Sequence, residues 1–151
     1  MRIGVGIITF ERFERFKKCF QSLICNSKEI NEIIIVDDCS VKDRESYDRF
    51  FDEITKLTHI KVFVQEVNSG VGKSKNKILK YFFDKGYDYV FTIEDDMLIL
   101  RPDTFQKYIE ASQKSGIEYL NFALHGPANK GLLIKKYDDV AFYPHCVGSF
   151  S

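Results

Sequence analysis

Three consecutive acids, Glu94, Asp95 and Asp96, follow the apolar segment "YVFTI", which we predict to be a buried strand. Adjacent carboxylates repel one another and raise each other's pKa, so a bound cation would stabilise the arrangement. Carboxylate oxygens are hard ligands that suit Mg²⁺ or Mn²⁺, and such ions take one or two protein carboxylates together with phosphates and water. The alternative is a solvated acidic turn before a helix, since carboxylates also favour a helix N-terminus.

A second acidic pair, Asp37 and Asp38, ends the apolar segment "EIIIV". A carboxylate at a strand end of a doubly wound sheet can accept a hydrogen bond from a base N–H or a ribose hydroxyl. The pair could instead close an Asx-turn or cap a helix, with Ser40 as a competing cap. A phosphoacceptor pocket of the receiver type requires its acids after the first strand, whereas this pair follows the second.

The segment "NSGVGKSKN" at residues 68–76 looks like the end of a phosphate-binding P-loop, which would indicate an ATPase or GTPase. A P-loop needs a glycine five positions before Gly72, and Val67 stands there. Glycines also let a chain pass close to a ligand, and a helix N-terminus attracts negative charge. Asn68 and Asn76 offer polar groups on either side, although a glycine turn before a solvated lysine face explains the same residues.

The hydrophobic pattern predicts a sheet that brings these segments together. Strand-like runs alternate with segments of helical spacing; the runs are "RIGVGIIT", "EIIIVDD", "IKVFVQE" and "YDYVFTIEDD". The alternation predicts right-handed βαβ units in an α/β fold, a three-layer α/β/α sandwich with a mostly parallel, Rossmann-like sheet. Ligands of such sheets bind at the carboxyl ends of the strands. The polar segments at residues 9, 37–38, 68–72 and 94–96 all fall there.

Several finer features follow from the same pattern. Gly4 and Gly6 predict close packing of a helix on the first strand. Helical stripes run from Phe10 to Ile24, from Tyr47 to Leu57 and from Lys73 to Phe83. The segment "RPDTFQKYIEAS" predicts a fourth helix with Pro102 in its first turn or just before it. "EYLNFAL" is a candidate fifth strand, and "GLLIKK" with "DVAFYP" a candidate hairpin.

Composition indicates one globular domain, since the chain has 151 residues, of which 44% are hydrophobic and 29% charged. Basic and acidic residues both number 22, so no net field attracts the chain to nucleic acid. No apolar run approaches the roughly 18 residues that a membrane span requires. The four cysteines form no C-x-x-C pair, which favours a reducing, cytoplasmic setting, with a peripheral position at a membrane left open.

The order of "GIITFERF", "IIIVDDCS", "NSGVGKSKN" and "FTIEDDM" resembles the GT-A-fold nucleotide-sugar glycosyltransferases, especially those of family 2. In that family the first strand commonly ends in Pro-Thr-Tyr/Phe-Asn-Arg and the second in Val-Asp-Asp-x-Ser. An Asn-x-Gly-x-x-x-Ala-Arg-Asn segment then opens a helix, and a later strand ends in the acidic metal motif called DXD. The chain departs from these patterns at Ile8, at Glu11 and at residues 73–75, which leaves the base and the sugar open.

The resemblance implies a site for a nucleoside diphosphate sugar, with a UDP-sugar as the first expectation. It places Thr9 against the base, which Asp38 would hydrogen-bond. Asp95 would approach the ribose or the water shell of the metal, and Asp96 would bind the Mn²⁺ or Mg²⁺ that bridges the diphosphate. The donor-binding set implied in this way is Thr9, Phe10, Arg12, Asp38, Asn68, Gly70, Asn76 and Asp95.

The resemblance also implies metal-dependent, inverting transfer to the hydroxyl of a saccharide, a lipid-linked acceptor or a protein. Residues 1–100 would form the nucleotide-sugar-binding half of a single domain spanning 1–151. Residues 101–151 would begin an acceptor-side half that is cut short, with the general base expected beyond Ser151. Two alternatives stay open, a non-catalytic GT-A-like interaction domain and a sugar-phosphate nucleotidylyltransferase. The latter requires a glycine-rich loop after its first strand, where this chain has "TFERFERF".

Overall fold

The computed structural model describes residues 1–120, 135–137 and 140–142, and the chain divides into two compact units, Met1–Asp103 and Thr104–Ser151. The first unit alternates strands and helices: β1 (Ile3–Thr9), α1 (Phe13–Asn26), β2 (Glu32–Asp37), α2 (Arg44–Ile54), β3 (Ile60–Val64), α3 (Val71–Asp84) and β4 (Tyr89–Glu94). The second unit contains α4 (Thr104–Ser115) and the antiparallel pair of β5 (Lys135–Tyr137) and β6 (Val140–Phe142).

The strands of the first unit form one parallel sheet in the order β3-β2-β1-β4. β1 and β2 are buried along their whole length, which explains their almost continuous apolar runs. β4 is the outer strand within the described residues and is half-buried throughout. The prediction of a fully buried strand before the three acids is therefore wrong, because β4 has a hydrogen-bonded neighbour on one side alone in the part of the chain described.

α3 packs closely against β1. A Cβ atom placed on Gly4 would lie 2.5 Å from the ring of Phe82, and one on Gly6 would lie 2.2 Å from Cγ2 of Ile78. The two glycines therefore allow α3 to pack directly on β1, as the sequence predicts. Ile8, Ile34 and Val36 of the sheet complete the buried core on this side.

The opposite face of the sheet is covered by α1 and α2, which contribute aromatic side chains. Phe16 and Tyr47 are fully buried and stack with their ring centroids 5.8 Å apart, and Phe51 packs against both. Successive strand residues point to opposite faces, so Val5 and Ile7 face this layer while Gly4 and Gly6 face α3. The first unit is thus the predicted three-layer α/β/α sandwich with a parallel sheet.

Some helix boundaries differ from the prediction. Phe10 precedes α1 and Leu57 follows α2, and both side chains are exposed instead of completing a helical stripe. α3 begins at Val71, two residues before the predicted start at Lys73. Pro102 lies just before α4, as expected for a residue that cannot donate an N–H inside a helix.

The second unit bears out part of what its sequence predicts. Residues 118–120 of the candidate fifth strand are not in a strand, and the remainder of that segment lies outside the described residues. The predicted hairpin is confirmed over its described residues as β5 and β6, which pair in the register Lys135↔Phe142 to Tyr137↔Val140, and the rest of the two segments lies outside the described residues. Within the described residues, no helix has the length and apolar composition required to cross a membrane.

Candidate functional site

The carboxyl ends of β1, β2 and β4 meet at one edge of the sheet, because these strands are parallel neighbours. In the observed register Thr9 lies beside Asp37, and Ile8 lies beside Glu94. The residues that follow β1 and β4 then contact each other, as shown by hydrogen bonds from Thr9, Phe10 and Arg12 to Asp95. We call this cluster, together with Glu94 and Asp96, the acidic edge.

Asp95 is the buried member of the acidic edge, with 4% of its surface exposed. Its Oδ2 accepts hydrogen bonds from the Thr9 hydroxyl at 3.1 Å and from the Phe10 N–H at 3.3 Å. Its Oδ1 accepts one from the Arg12 guanidinium at 3.2 Å. Burial raises the pKa of Asp95, these donors oppose the rise, and the charge of Asp96 adds to it. The net rise means that the charge of Asp95 is incompletely compensated.

A chain of hydrogen bonds through Tyr47 fixes Asp95 in place. Thr9 Oγ1 lies 2.8 Å from the Tyr47 hydroxyl oxygen, which also accepts the N–H of Arg12 at 3.1 Å. A hydroxyl has one proton, so the Thr9 hydroxyl that donates to Asp95 accepts from Tyr47. Burial raises the pKa of Tyr47, which keeps that proton in place. The Thr9 side chain is itself buried, so its hydroxyl hydrogen-bonds Asp95 and is not accessible at the protein surface.

Asp96 is the exposed acid of this edge, with 47% of its side chain accessible. Its Oδ2 lies 3.5 Å from the same Arg12 nitrogen that binds Asp95. One half-exposed guanidinium therefore faces two carboxylates. The negative charge that remains is available to a cation approaching from solvent.

The acidic edge fits a divalent cation that brings most of its own ligands. Across the described residues, no group of three His, Cys, Asp or Glu side chains could hold a metal ion by itself. Asp95 is occupied by three donors, whereas Asp96 has half of its side chain open. Mg²⁺ accepts one or two carboxylates when phosphates and water complete its shell, and Mn²⁺ suits the same hard oxygen ligands. Asp96 therefore suits such an ion in the company of a phosphate group.

Glu94, the first acid of the three, is paired with a lysine from α3. Its Oε1 lies 2.9 Å from Nζ of Lys75, and each side chain is about one-third exposed. Lys75 belongs to the segment "NSGVGKSKN", so this contact connects the glycine segment to the acidic edge. Because Glu94 has Lys75, the two carboxylates that share a single cationic side chain, that of Arg12, are Asp95 and Asp96.

Asp37, at the end of β2, closes the loop that follows this strand. It is fully buried, and its Oδ1 accepts the N–H of Ser40 at 3.0 Å. Its Oδ2 accepts a hydrogen bond from Arg44 at 2.6 Å. The alternative interpretation of the acidic pair, a turn closed by a side chain, thus describes Asp37.

Asp38 faces the loop after β3. It is 3% exposed, and its Oδ1 accepts hydrogen bonds from the N–H and the hydroxyl of Ser69 at 2.9 and 3.1 Å. The side-chain amide of Gln65 donates to the same oxygen, and the N–H of Gly70 donates to Oδ2 at 2.8 Å. Asp38, for which the resemblance implies a hydrogen bond to the base, therefore also binds the protein's own loop, with a single hydrogen bond at Oδ2.

The three other predicted residues of the glycine segment lie in different settings. Asn68 is exposed, and its side-chain oxygen accepts the N–H of Gly70 at 3.1 Å. Gly70 precedes α3 with φ 84° and ψ 158°, a conformation that is essentially restricted to glycine. Asn76 lies on the exposed face of α3, on the side away from the buried residues Ser74 and Ile78. Asn76 directly follows Lys75, the residue of α3 that contacts Glu94.

Three residues that organise this region were not predicted from the sequence. Tyr47 falls in an apolar helical stripe, which gives no indication of its hydroxyl contacts. Glu11 adopts φ 58° and its carboxylate accepts the N–H groups of Val41 and Lys42, at 2.7 Å for the first of them. Gln65 ends a strand-like run and had no motif around it. All three act through contacts with residues distant in sequence, so a local pattern could not reveal them.

The acidic edge thus presents a half-exposed carboxylate, Asp96, beside a half-exposed guanidinium, Arg12. The model of one protein family, described as Glycosyl transferase family 2, matches residues 4–132 of the chain. No curated protein is significantly similar to it in sequence.

Solved structures similar to the chain include TarS from S. aureus in complex with UDP-GlcNAc, with a TM-score of 0.57 and 22% identity. That match covers 76% of this chain and 32% of TarS 1–349. The mannosyltransferase PcManGT from Pyrobaculum calidifontis, in complex with GDP-Man and Mn²⁺, matches with a TM-score of 0.61 and 17% identity, over 74% of this chain and 32% of that one. GalNAc-T7 with UDP, GalNAc and Mn²⁺ matches with a TM-score of 0.51 and 23% identity, over 63% and 18%. The chain thus spans about a third of the length of the first of these relatives.

Proposed function

The chain belongs to glycosyl transferase family 2, and from this membership we propose that it binds a nucleoside diphosphate sugar and transfers the sugar to an acceptor hydroxyl. The observation that carries the proposal is the half-exposed Asp96 beside the buried Asp95, at the sheet edge where ligands of parallel sheets bind. The similar structures in complex with UDP-GlcNAc, or with GDP-Man and Mn²⁺, support this class of donor.

Asp96 is the residue that we assign to a divalent cation, Mn²⁺ or Mg²⁺. Such an ion, when bound, stabilises the charge that builds on the leaving diphosphate. Arg12 is 3.5 Å from Asp96 and half-exposed, so its guanidinium can turn toward a phosphate oxygen when the cation neutralises Asp96. Oδ1 of Asp95 accepts a hydrogen bond from Arg12, which keeps this arginine at the acidic edge.

Phe10 and Arg12 form the exposed part of the proposed donor site. Thr9 and Asp95 are buried beneath them, and Asp95 accepts hydrogen bonds from the Phe10 N–H and the Arg12 guanidinium. The partly exposed ring of Phe10 offers an apolar surface to a planar base. Asn68 and Gly70 lie on the loop after β3, and we retain them as donor contacts. We assign none to Asn76, because it lies on the outer face of α3.

For the reaction we propose inversion at the anomeric carbon, as an acceptor hydroxyl attacks and loses its proton to a general base. The acceptor is a saccharide, a lipid-linked or a protein hydroxyl. Glu94 is paired with Lys75, Asp95 accepts three hydrogen bonds and Asp38 holds a loop, so we assign no general base within the described residues. We place the activity in the cytoplasm, since the cysteines form no C-x-x-C pair.

Thermal unfolding with UDP, GDP, TDP, ADP and ATP, each with and without Mn²⁺, tests the proposal. We expect one diphosphate, UDP first, to stabilise the protein when Mn²⁺ is present. A ligand at a hundred times its dissociation constant adds about 2.7 kcal/mol to the free energy of unfolding, which is an easily measured shift. Stabilisation by ATP alone, independent of metal, or by none of the five nucleotides would contradict a nucleotide-sugar site.

A further inference from the structure

Backbone strain is concentrated in two loops at the carboxyl ends of the strands. Within the described residues, the non-glycine residues with positive φ are Glu11 at 58°, Cys39 at 70° and Asp43 at 57°. Glu11 lies in the loop after β1, and the other two lie in the loop after β2. A residue with a Cβ persists in this conformation only where surrounding contacts hold it, and such residues cluster at functional sites. The two loops therefore require contacts that offset this strain.

Glu11 makes these contacts with both its backbone and its side chain. Its N–H donates to Oγ of Ser40 at 2.9 Å. Its Oε1 accepts the N–H of Val41 at 2.7 Å, and its Oε2 accepts the N–H of Lys42 at 3.0 Å. Val41 is 74% exposed, so its N–H would be open to solvent without this carboxylate. We call these contacts the Glu11 clasp, and they join the loop after β1 to the loop after β2.

The residues on either side of Glu11 belong to the proposed donor site. The N–H of Phe10 donates to Asp95 at 3.3 Å, and the Arg12 guanidinium lies 3.2 Å from Asp95 and 3.5 Å from Asp96. Phe10 and Arg12 directly precede and follow Glu11, so the backbone conformation of Glu11 sets the directions in which their two side chains leave the loop. A change of φ at Glu11 would turn one of these side chains relative to the other.

The Glu11 clasp also fixes the loop on the other side of the site. Ser40 is 3% exposed, and its N–H donates to Oδ1 of Asp37 at 3.0 Å. Asp38 lies between these two residues in the chain and has a single hydrogen bond at Oδ2. The clasp therefore sets the distance between the loop that carries Phe10 and the loop that carries Asp38.

We propose that Glu11 is a positioning residue for the nucleotide. Its clasp keeps the loops after β1 and β2 in the conformation that binds the donor, so that these loops need not be ordered when the nucleotide binds. Glu11 acts through Phe10 and Arg12, the residues that we assign to the donor. The part of this proposal that concerns nucleotides rests on the proposed function, whereas the clasp itself is a property of the free protein.

Hydrogen exchange at the Val41 and Lys42 amides tests the clasp directly. Glu11→Gly removes both acceptor oxygens, and glycine adopts a φ of 58° without strain. We expect both amides to exchange about tenfold faster in this variant, the scale of one lost hydrogen bond. Glu14→Gln is the control, because Glu14 is an exposed acid in the first turn of α1 and its replacement leaves the clasp intact. Unchanged exchange in Glu11→Gly would overturn the proposal.

Nucleotide binding separates positioning from a purely structural role. If Glu11 only stabilised the fold, folded Glu11→Gly would bind UDP with Mn²⁺ as tightly as the wild type does. We instead expect binding about tenfold weaker at a temperature where both proteins are folded, because the two loops must then be ordered on binding. Glu11→Gln keeps one acceptor oxygen and should show a smaller loss. It is also the milder variant if Glu11→Gly does not fold.

The control variant separates the clasp from the effect of net charge. Glu14→Gln also removes one negative charge, and we expect it to bind UDP with Mn²⁺ as the wild type does. Wild-type affinity in folded Glu11→Gly, or an equal loss in Glu14→Gln, would overturn the proposal. If the wild type itself binds no nucleotide, the proposed function fails, and the exchange comparison of Glu11→Gly with Glu14→Gln still decides whether the clasp exists.

Discussion

Two buried carboxylates lie at opposite ends of the sheet, Glu32 at the start of β2 and Asp95 just after β4, and they differ in how their charge is met. Glu32 is 7% exposed and accepts hydrogen bonds from the hydroxyls of Tyr81 and Tyr87 at 2.7 and 2.6 Å. Lys61 lies 2.8 Å away and Lys85 3.8 Å away. Asp95 is buried to the same degree but shares one guanidinium with Asp96.

The pKa values of the two groups shift in opposite directions as a result. Burial acts to raise the pKa of Glu32, but hydrogen bonds from Lys61, Tyr87 and Tyr81 outweigh it and lower the pKa from 4.5 to about 2. Burial raises the pKa of Asp95, and its donors do not offset the rise. Around Glu32 two cations surround one acid, whereas at the acidic edge one arginine serves two acids. Compensated charge stabilises a fold, and undercompensated charge is available to a ligand.

The largest loss of stability should come from Glu32→Gln, which leaves Lys61 and Lys85 without their anion. Removing one partner of a buried ion pair costs about 3–5 kcal/mol, and the partial exposure of Lys61 places this case near 3 kcal/mol. Urea unfolding at neutral pH measures the change. Asp84→Asn, which breaks an exposed pair with Lys80, is the control and should cost less than about 0.5 kcal/mol. A loss below about 1 kcal/mol for Glu32→Gln would remove the contrast between the two ends.

The contribution of Glu32 should also depend on pH with a defined sign. An acid with a lowered folded-state pKa stabilises the protein above its unfolded-state pKa and loses that effect as pH falls through the folded value. For Glu32 the window runs from 4.5 down to about 2, and the linked free energy is up to about 3 kcal/mol. Urea unfolding of wild type and Glu32→Gln should converge across this window. If the stability difference between wild type and Glu32→Gln stays constant across this window, the difference arises from packing and not from the charge of Glu32.

Tyr47→Phe should have an intermediate effect at the other end of the sheet. It leaves the Thr9 hydroxyl and the Arg12 N–H without their buried partner, which costs about 1–2 kcal/mol. Tyr87→Phe is the matched variant at the amino end. We expect about 1 kcal/mol or less there, because Glu32 keeps Lys61 and Tyr81 as partners. Equal losses in both variants would indicate that the two ends tolerate missing hydroxyls alike.

Of the two buried carboxylates, Asp95 should give the smaller change in stability when it is replaced by Asn, although it is as buried as Glu32. Its raised pKa shows that folding does not favour the charged form, so a neutral side chain of the same shape should cost less than about 1 kcal/mol. Binding of UDP with Mn²⁺ should nevertheless weaken, because Arg12 and Phe10 lose their anchor. A stability loss as large as that of Glu32→Gln would mean that Asp95 serves the fold in the same way.

Much of the fold could be predicted because its signals are local. The "EIIIVDD" run indicated a strand buried on both faces, and Gly4 and Gly6 indicated the close approach of α3. The half-burial of β4 could not be predicted, because an outer strand differs from a central one only in what pairs with it. The helical spacing of Ile78 and Phe82 also contained the information that Asn76 points outward, although its place in the glycine segment suggested a contact.

The candidate site was predicted less completely. The acids at residues 37–38 and 94–96 could be predicted as site residues because they follow apolar strands. The structure brings Thr9, Arg12 and Asp95 together, as parallel pairing of β1 and β4 requires. The use of each carboxylate could not be predicted, since Asp38 is satisfied by Ser69 and Gly70 and Asp95 by residues more than eighty positions earlier. The cluster around Glu32 has no sequence signal, because its tyrosines and lysines come from β3, from α3 and from the turn between α3 and β4.

Titration with Mn²⁺ in the presence of saturating UDP, followed by the electron paramagnetic resonance signal of the free ion, tests the central claim most directly. Wild type, Asp96→Asn and Glu32→Gln would be compared under conditions where all three are folded. We expect one bound ion per chain in wild type and in Glu32→Gln, and binding at least about tenfold weaker in Asp96→Asn, since Asp96 supplies the protein's carboxylate ligand. Undiminished binding by Asp96→Asn, or a comparable loss in Glu32→Gln, would contradict the assignment of the cation to the acidic edge.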